Sequence, residues 1–255
     1  MIKITDLSFS YGKDEYIKNF SLEVSGGEIV SVIGKNGSGK TTLLKLIGGY
    51  LKRSDGDVLI DGESIDSLRG VKLAKRLSFF HQGREIPNMT VGELVLLGRY
   101  PYNTGGFRHS EEDISSVRSA LARLGIEHLS DRMLEALSYG ERQRAYLAMN
   151  LAEGAGNLLF DEPTSYMDAE SVFSLMDLLV SLKNEGKAIV AVLHDISSAL
   201  KISDKIIVMQ GGEALAIGTP SEIINSGILC DALGVEVKSV TLEGISEYII
   251  LPKCK

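Results

Sequence analysis

One segment constrains this chain more than any other: Gly34-Lys35-Asn36-Gly37-Ser38-Gly39-Lys40-Thr41. It matches the phosphate-loop pattern G-x-x-x-x-G-K-[ST]. The context that pattern needs is also present. Glu28-Ile29-Val30-Ser31-Val32-Ile33 precedes it as a short apolar strand. After it, Leu43, Leu44 and Ile47 fall on one helical face, and Gly48-Gly49 supplies a stop. The glycines let the backbone wrap phosphate oxygens and point successive N–H groups inward. The helix N-terminus adds positive partial charge. Lys40 is expected to reach β- and γ-phosphates, and Thr41 to offer its hydroxyl to Mg²⁺. Thr42, next in sequence, completes this candidate binding set with Gly34 through Thr41.

The rest of the chain supplies a matching scaffold. Ile2, Ile4 and Leu7, then Phe20, Leu22 and Val24, alternate like half-buried β-structure. Val58–Ile60, Leu77–Phe80, Leu158–Phe160, Ala188–Leu193 and Lys205–Met209 read as further strands, and Tyr248–Leu251 as a terminal one. Ala169 to Lys183 reads as a helix, and residues from about 90 to 155 are mostly helical in pattern. The expected architecture is a mainly parallel α/β core of the P-loop NTPase (RecA-like) kind. It carries an antiparallel β-element near the N-terminus and an inserted helical subdomain at about 84–155. A short extension follows from about 220 to 255, within a single domain spanning 1–255.

Composition narrows the partners. The chain has 255 residues, with 27 Lys plus Arg against 34 Asp plus Glu, a formal charge of −7. That acidic balance argues against nucleic acid, whose backbone attracts basic surfaces. Cys230 and Cys254 cannot make a disulfide framework and read as a packed hydrophobe and a tail thiol. No apolar run approaches the roughly 20 residues needed to cross a bilayer. The N-terminus has no apolar export segment. The expectation is a reduced, cytosolic compartment and, at a membrane, a peripheral position.

A second motif is Leu158-Leu159-Phe160-Asp161-Glu162-Pro163-Thr164, an apolar strand that delivers two carboxylates to its C-terminal end. Alone, such a sequence is common at solvated strand ends. Beside a phosphate loop, Asp161 is expected to hold Mg²⁺ and Glu162 to orient or deprotonate an attacking water. A third motif is Leu137-Ser138-Tyr139-Gly140-Glu141, followed by Arg142-Gln143-Arg144.

In this order the motifs resemble the nucleotide-binding subunit of ATP-binding cassette (ABC) transporters, over nearly the whole chain. That family carries an L-S-G-G-Q-like signature between the phosphate loop and the acidic strand. Here Tyr139 replaces a glycine and Glu141 the glutamine; similar L-S-x-G-E forms occur in working members. The resemblance implies ATP as ligand with Mg²⁺, and further roles for matching residues. Tyr11, before Gly12, stands where the family stacks an aromatic on adenine. Gln82 matches the Q-loop glutamine that senses Mg²⁺ and the γ-phosphate. His194 matches the switch histidine, which bonds the γ-phosphate and positions Glu162 or the water. Ser165-Tyr166-Met167-Asp168 resembles the D-loop that crosses to a partner subunit. No role is assigned to His81, His109 or His128.

The resemblance also implies pairing. One copy of each motif means that a complete site needs two chains, head to tail, with Ser138, Gly140 and Glu141 of one covering ATP bound by the other. Thr90–Tyr102 resembles the T-V-x-E-x-V-x-x-G-R-x-P pattern of importers for iron–siderophore complexes, haem and cobalamin. It lies where family members meet the membrane subunit, so Arg99 and Tyr102 are expected at that interface. The implied function is an ATPase subunit on the cytoplasmic face of a membrane. Its partners are transmembrane permease subunits and, indirectly, a substrate-binding protein. A soluble ABC ATPase of the iron–sulfur assembly type is the alternative. A DNA-associated ABC ATPase is disfavoured by the acidic charge and the lack of a long coiled-coil insertion. A P-loop kinase would have no use for Leu137–Glu141.

Overall fold

The computed structural model describes residues 1–12, 14–81, 86–103, 109–242 and 245–252. Strands β1 (Ile2–Tyr11) and β2 (Asp14–Val24) form an antiparallel ribbon that turns at Gly12. It extends through β4 (Asp55–Ile60) and β5 (Glu63–Ser64) into a sheet ordered β2-β1-β4-β5. The main sheet is built from β3 (Glu28–Gly34), β6 (Leu77–Phe80), β7 (Asn157–Asp161), β8 (Ala188–Val192), β9 (Lys205–Gln210) and β10 (Glu213–Gly218). Its order is β10-β9-β3-β8-β7-β6, parallel from β9 to β6, with β10 antiparallel at one edge.

Side chains alternate across a strand, so each parallel strand feeds two cores. Val30, Val32, Leu159, Val190, Val192 and Ile207 pack toward the antiparallel sheet and toward α1 (Lys40–Ile47). Ile29, Ile33, Leu158, Phe160, Ile189 and Val208 pack toward the helices on the other side. The two faces explain why these strands read as unbroken apolar runs rather than alternating ones.

Between β4 and β6 lies the short α2 (Val71–Ala74). Helices α3 (Val91–Leu97), α4 (Glu111–Arg123) and α5 (Tyr139–Ala152) fill the chain between β6 and β7. Then come α6 (Ala169–Asn184), α7 (Ile196–Ile202), α8 (Pro220–Asn225) and α9 (Ile228–Leu233). A terminal hairpin, β11 (Val235–Leu242) with β12 (Ile245–Pro252), lies against α7, where Ser197 Oγ donates to the Tyr248 carbonyl at 3.2 Å. No helix among the described residues is long and apolar enough to cross a membrane. Cys230 is a half-buried free thiol, and Cys254 lies outside the described residues.

One expectation is corrected here. Arg99 is expected at the interface with a membrane subunit, but the fold turns it inward, leaving it 5% exposed, while Tyr102 is half-buried. Its Nε donates to Asp113 Oδ1 at 2.8 Å and its Nη1 to the Ala152 carbonyl at 2.9 Å. Its guanidinium lies 3.8 Å from the Tyr102 ring centroid. Tyr102 in turn donates its hydroxyl to the Glu153 carbonyl at 2.9 Å. Arg99 therefore braces the turn after α3 against the start of α4 and the C-terminal end of α5, where carbonyls lack helical partners.

Candidate active site

The register of the parallel sheet assembles the site. Val32 pairs with Val192 and Val192 with Asp161, so β3, β7 and β8 end at the same level. Gly34, Glu162 and His194 follow within two residues of that level, at the carboxyl edge where α/β sheets bind ligands.

The phosphate loop leaves β3 through Gly34 because no larger residue fits. A Cβ there would sit 2.4 Å from the Met209 carbonyl oxygen and 2.5 Å from Ser38 Oγ. Gly39 caps α1 with φ +103°, a left-handed conformation that side chains rarely adopt. It gives α1 no side-chain cap, and the first turn holds no acidic residue. By contrast α3, α4, α5 and α8 are closed by capping boxes from Thr90, Ser110, Ser138 and Thr219. The N-terminus of α1, with no side-chain cap and no acidic residue in its first turn, is suited to an anion.

A cleft of about 340 Å³ opens over this loop. Asn36 through Thr42 line one side, Glu162 and His194 another, and Tyr16 a third. Lys40, 5% exposed, donates from Nζ to the carbonyls of Gly34 at 2.9 Å and Lys35 at 3.1 Å. Burial holds its ammonium below the usual lysine range, against the opposing pull of Glu162 and Asp161. Thr41 Oγ1 donates to Asp161 Oδ1 at 3.1 Å. Burial pushes the Asp161 carboxyl up, and neighbouring Glu162 adds to the rise, while the Thr41 bond opposes it. His194 Nε2 stands 2.7 Å from Glu162 Oε1. Glu162 itself has φ +53°, a strained state for a non-glycine residue and one often found at functional sites.

These residues fit a hard cation. A hydroxyl oxygen and a carboxylate oxygen meet at the phosphate loop, the ligand chemistry Mg²⁺ takes alongside phosphate oxygens. No group of three His, Cys, Asp or Glu able to hold a metal occurs among the described residues.

Tyr11 reaches the site through its hydroxyl, 3.3 Å from Thr42 Oγ1, and its ring is 53% exposed. Tyr16, which the sequence reading passed over, packs against Tyr11 with centroids 5.4 Å apart and donates its hydroxyl to the Gly37 carbonyl at 2.8 Å. The turn at Gly12 was the available signal, since it brings both tyrosines onto one ribbon. Gln82 lies outside the described residues.

Ser138, Gly140 and Glu141 are not among the cleft-lining residues and begin α5 instead. Ser138 N and Oγ donate to Glu141 Oε2 at 2.8 and 2.7 Å, and Ser138 Oγ accepts from Glu141 N at 3.3 Å. These bonds hold the Glu141 carboxyl below its usual range. Glu141, expected as a nucleotide contact, thus serves its own helix in the single chain.

A phosphate loop on a parallel sheet, with an Asp-Glu strand end and a histidine beside it, defines a P-loop nucleoside triphosphatase. The model of the ABC transporter family matches residues 17–165, and the chain belongs to that family. It is 38% identical to the petrobactin import ATP-binding protein FpuD of Bacillus anthracis, over 92% of this chain and 87% of that protein. It is 36% identical to the ferric enterobactin transport ATP-binding protein FepC of Escherichia coli, over 88% and 83%. A solved dimeric ATP-binding cassette with ADP and Pi bound superposes with TM-score 0.77 at 31% identity, covering 86% of this chain and 99% of the other.

Proposed function

We propose that this chain hydrolyses ATP and, pairing head to tail with a second copy, powers a membrane importer for iron–siderophore, haem or cobalamin cargo. The observation that carries this is the convergence of Lys40, Thr41, Glu162 and His194 on one cleft, with Asp161 bonded to Thr41 and the signature loop placed elsewhere on the same chain. ATP phosphates lie along Gly34–Thr42, and Lys40 contacts the β- and γ-phosphates. Thr41, Asp161 and Gln82 would hold Mg²⁺, which would supply positive charge against the phosphates. Glu162 accepts a proton from the attacking water, and His194 holds the Glu162 carboxylate and the γ-phosphate in place. Tyr11 stacks on adenine.

The signature residues Ser138, Gly140 and Glu141 of the second copy close over the γ-phosphate. ATP then binds both surfaces together, and hydrolysis releases them. The names of the relatives, petrobactin, ferric enterobactin and, in a further relative 35% identical, hemin import, support the cargo class. Transmembrane permease subunits as partners, a peripheral place on the cytoplasmic face of the membrane, and a substrate-binding protein upstream belong to the same proposal. The chain from about 84 to 155 acts as an inserted subdomain and 220 to 255 as an extension. The test is Mg²⁺-dependent ATP turnover by the purified chain, which Lys40→Ala should abolish. Undiminished turnover in that variant would sink the assignment.

A further inference from the structure

Gln143 lies on the first turns of α5, 5% exposed, and its Nε2 donates to the Pro163 carbonyl at 2.5 Å. Pro163 directly follows Glu162. The other atom of the same amide, Oε1, is buried without a hydrogen-bond partner among the described residues. A buried amide that satisfies only one end is costly, so packing alone does not account for a glutamine at this position. What the side chain does is tie the helix that begins with the signature loop to the loop that carries Glu162.

A second contact joins the same two segments. The rings of Tyr139 and Tyr166 meet with centroids 4.6 Å apart. Tyr166, like Glu162, has a positive φ, at 62° and 53° respectively. Such backbone states persist only where surrounding contacts hold them. Here the contacts come from the start of α5.

We propose that Gln143 is a positioning residue that couples the two ATP sites of the paired assembly. The inference rests on the head-to-tail pairing proposed above. In that pairing, Ser138 and Gly140 of one chain touch ATP bound by its partner, whereas Glu162 of that same chain acts on its own ATP. Gln143 and the Tyr139–Tyr166 pair span the distance between these duties inside one chain. Engagement of the signature loop by the partner's γ-phosphate shifts the start of α5. The bond to Pro163 passes that shift to Glu162, so occupancy of one site sets the carboxylate at the other. The strained loop is the two-state element that both sites bias.

The experiment compares the full-length parent with Gln143→Met, which keeps an unbranched side chain of similar length but cannot donate. Melting temperature confirms folding, and Gln143→Leu, a buried apolar side chain that likewise cannot donate, is the second variant should Gln143→Met fail to fold. ATP-driven dimerisation, read in the Glu162→Gln background, should remain within about twofold of the parent background. Hydrolysis should lose its cooperativity in ATP, the Hill coefficient falling from near the two-site limit of about 2 to about 1. A folded, dimerising Gln143→Met chain with parental cooperativity would overturn the coupling, as would a parent Hill coefficient of about 1. Failure of the Glu162→Gln chain to dimerise in ATP is a different result: it would overturn the pairing itself, and the coupling with it.

Discussion

Arg99→Leu tests whether the internal brace of the helical segment is built as described. The substitution keeps an apolar stem but removes both N–H donors, leaving the Ala152 carbonyl and part of the Asp113 carboxylate without partners. Breaking a buried ion pair from one side costs about 3–5 kcal/mol. The lower end applies here, because Asp113 still accepts from Ser110 N at 3.0 Å and Ser110 Oγ at 2.8 Å. Loss of the Tyr102 contact adds about 0.5–1 kcal/mol. Urea unfolding at neutral pH should therefore show a loss of roughly 3–4 kcal/mol.

The pH dependence carries a second signature. Asp113 is pulled from 3.8 down to about 2, first by Arg99 and then by Ser110. A carboxyl lowered by folding stabilises the fold above its unfolded value, and that contribution is lost as pH falls through the folded value. The Arg99 share, at most roughly 2 kcal/mol, should be intact above about pH 4 and fade between about pH 4 and 2. The gap between parent and Arg99→Leu should narrow over that window. A loss below about 0.5 kcal/mol, the range of ordinary surface substitutions, would refute the buried brace.

Other expectations follow from the cleft. Tyr11→Ala should raise the KM for ATP more than it lowers kcat, by about 1–3 kcal/mol of lost base stacking; unchanged ATP affinity would make Tyr11 a packing residue. Tyr16→Phe, which deletes the bond to the Gly37 carbonyl, should weaken nucleotide binding by about 0.5–1.5 kcal/mol, checked by titration with ATP. Ser138→Ala should cost about 0.5–2 kcal/mol of stability through its lost cap and also raise the ATP needed for dimerisation. Stability loss with unchanged dimerisation would leave Ser138 a cap alone.

The phosphate loop and the Asp161-Glu162 strand end were legible in the sequence because their chemistry demands contiguous residues of fixed type. The core strands were legible because burial on both faces makes them uniformly apolar. The helices α7, α8 and α9 were not read, since six or seven residues are too few to display a helical period. Strand β11 was missed for a related reason: Glu236, Lys238 and Thr241 interrupt it, and it pairs only with β12. Tyr16, Gln143 and Arg99 escaped because their roles arise from tertiary contacts. A basic residue such as Arg99 reads as a surface charge until the Ser110 cap is seen to set Asp113 beside it.

The most direct test of the central claim, an ATP site completed by a second copy, is Glu162→Gln. The amide is nearly isosteric, so Mg-ATP should still bind, but it cannot take a proton from water. Hydrolysis should fall by roughly 10²–10⁴-fold. With the exit step blocked, size-exclusion chromatography in saturating ATP should show a dimer, and adding Ser138→Arg should abolish it. Hydrolysis at the parent rate would remove Glu162 from its role, and a chain that stays monomeric in saturating ATP would contradict completion of the site by a second copy.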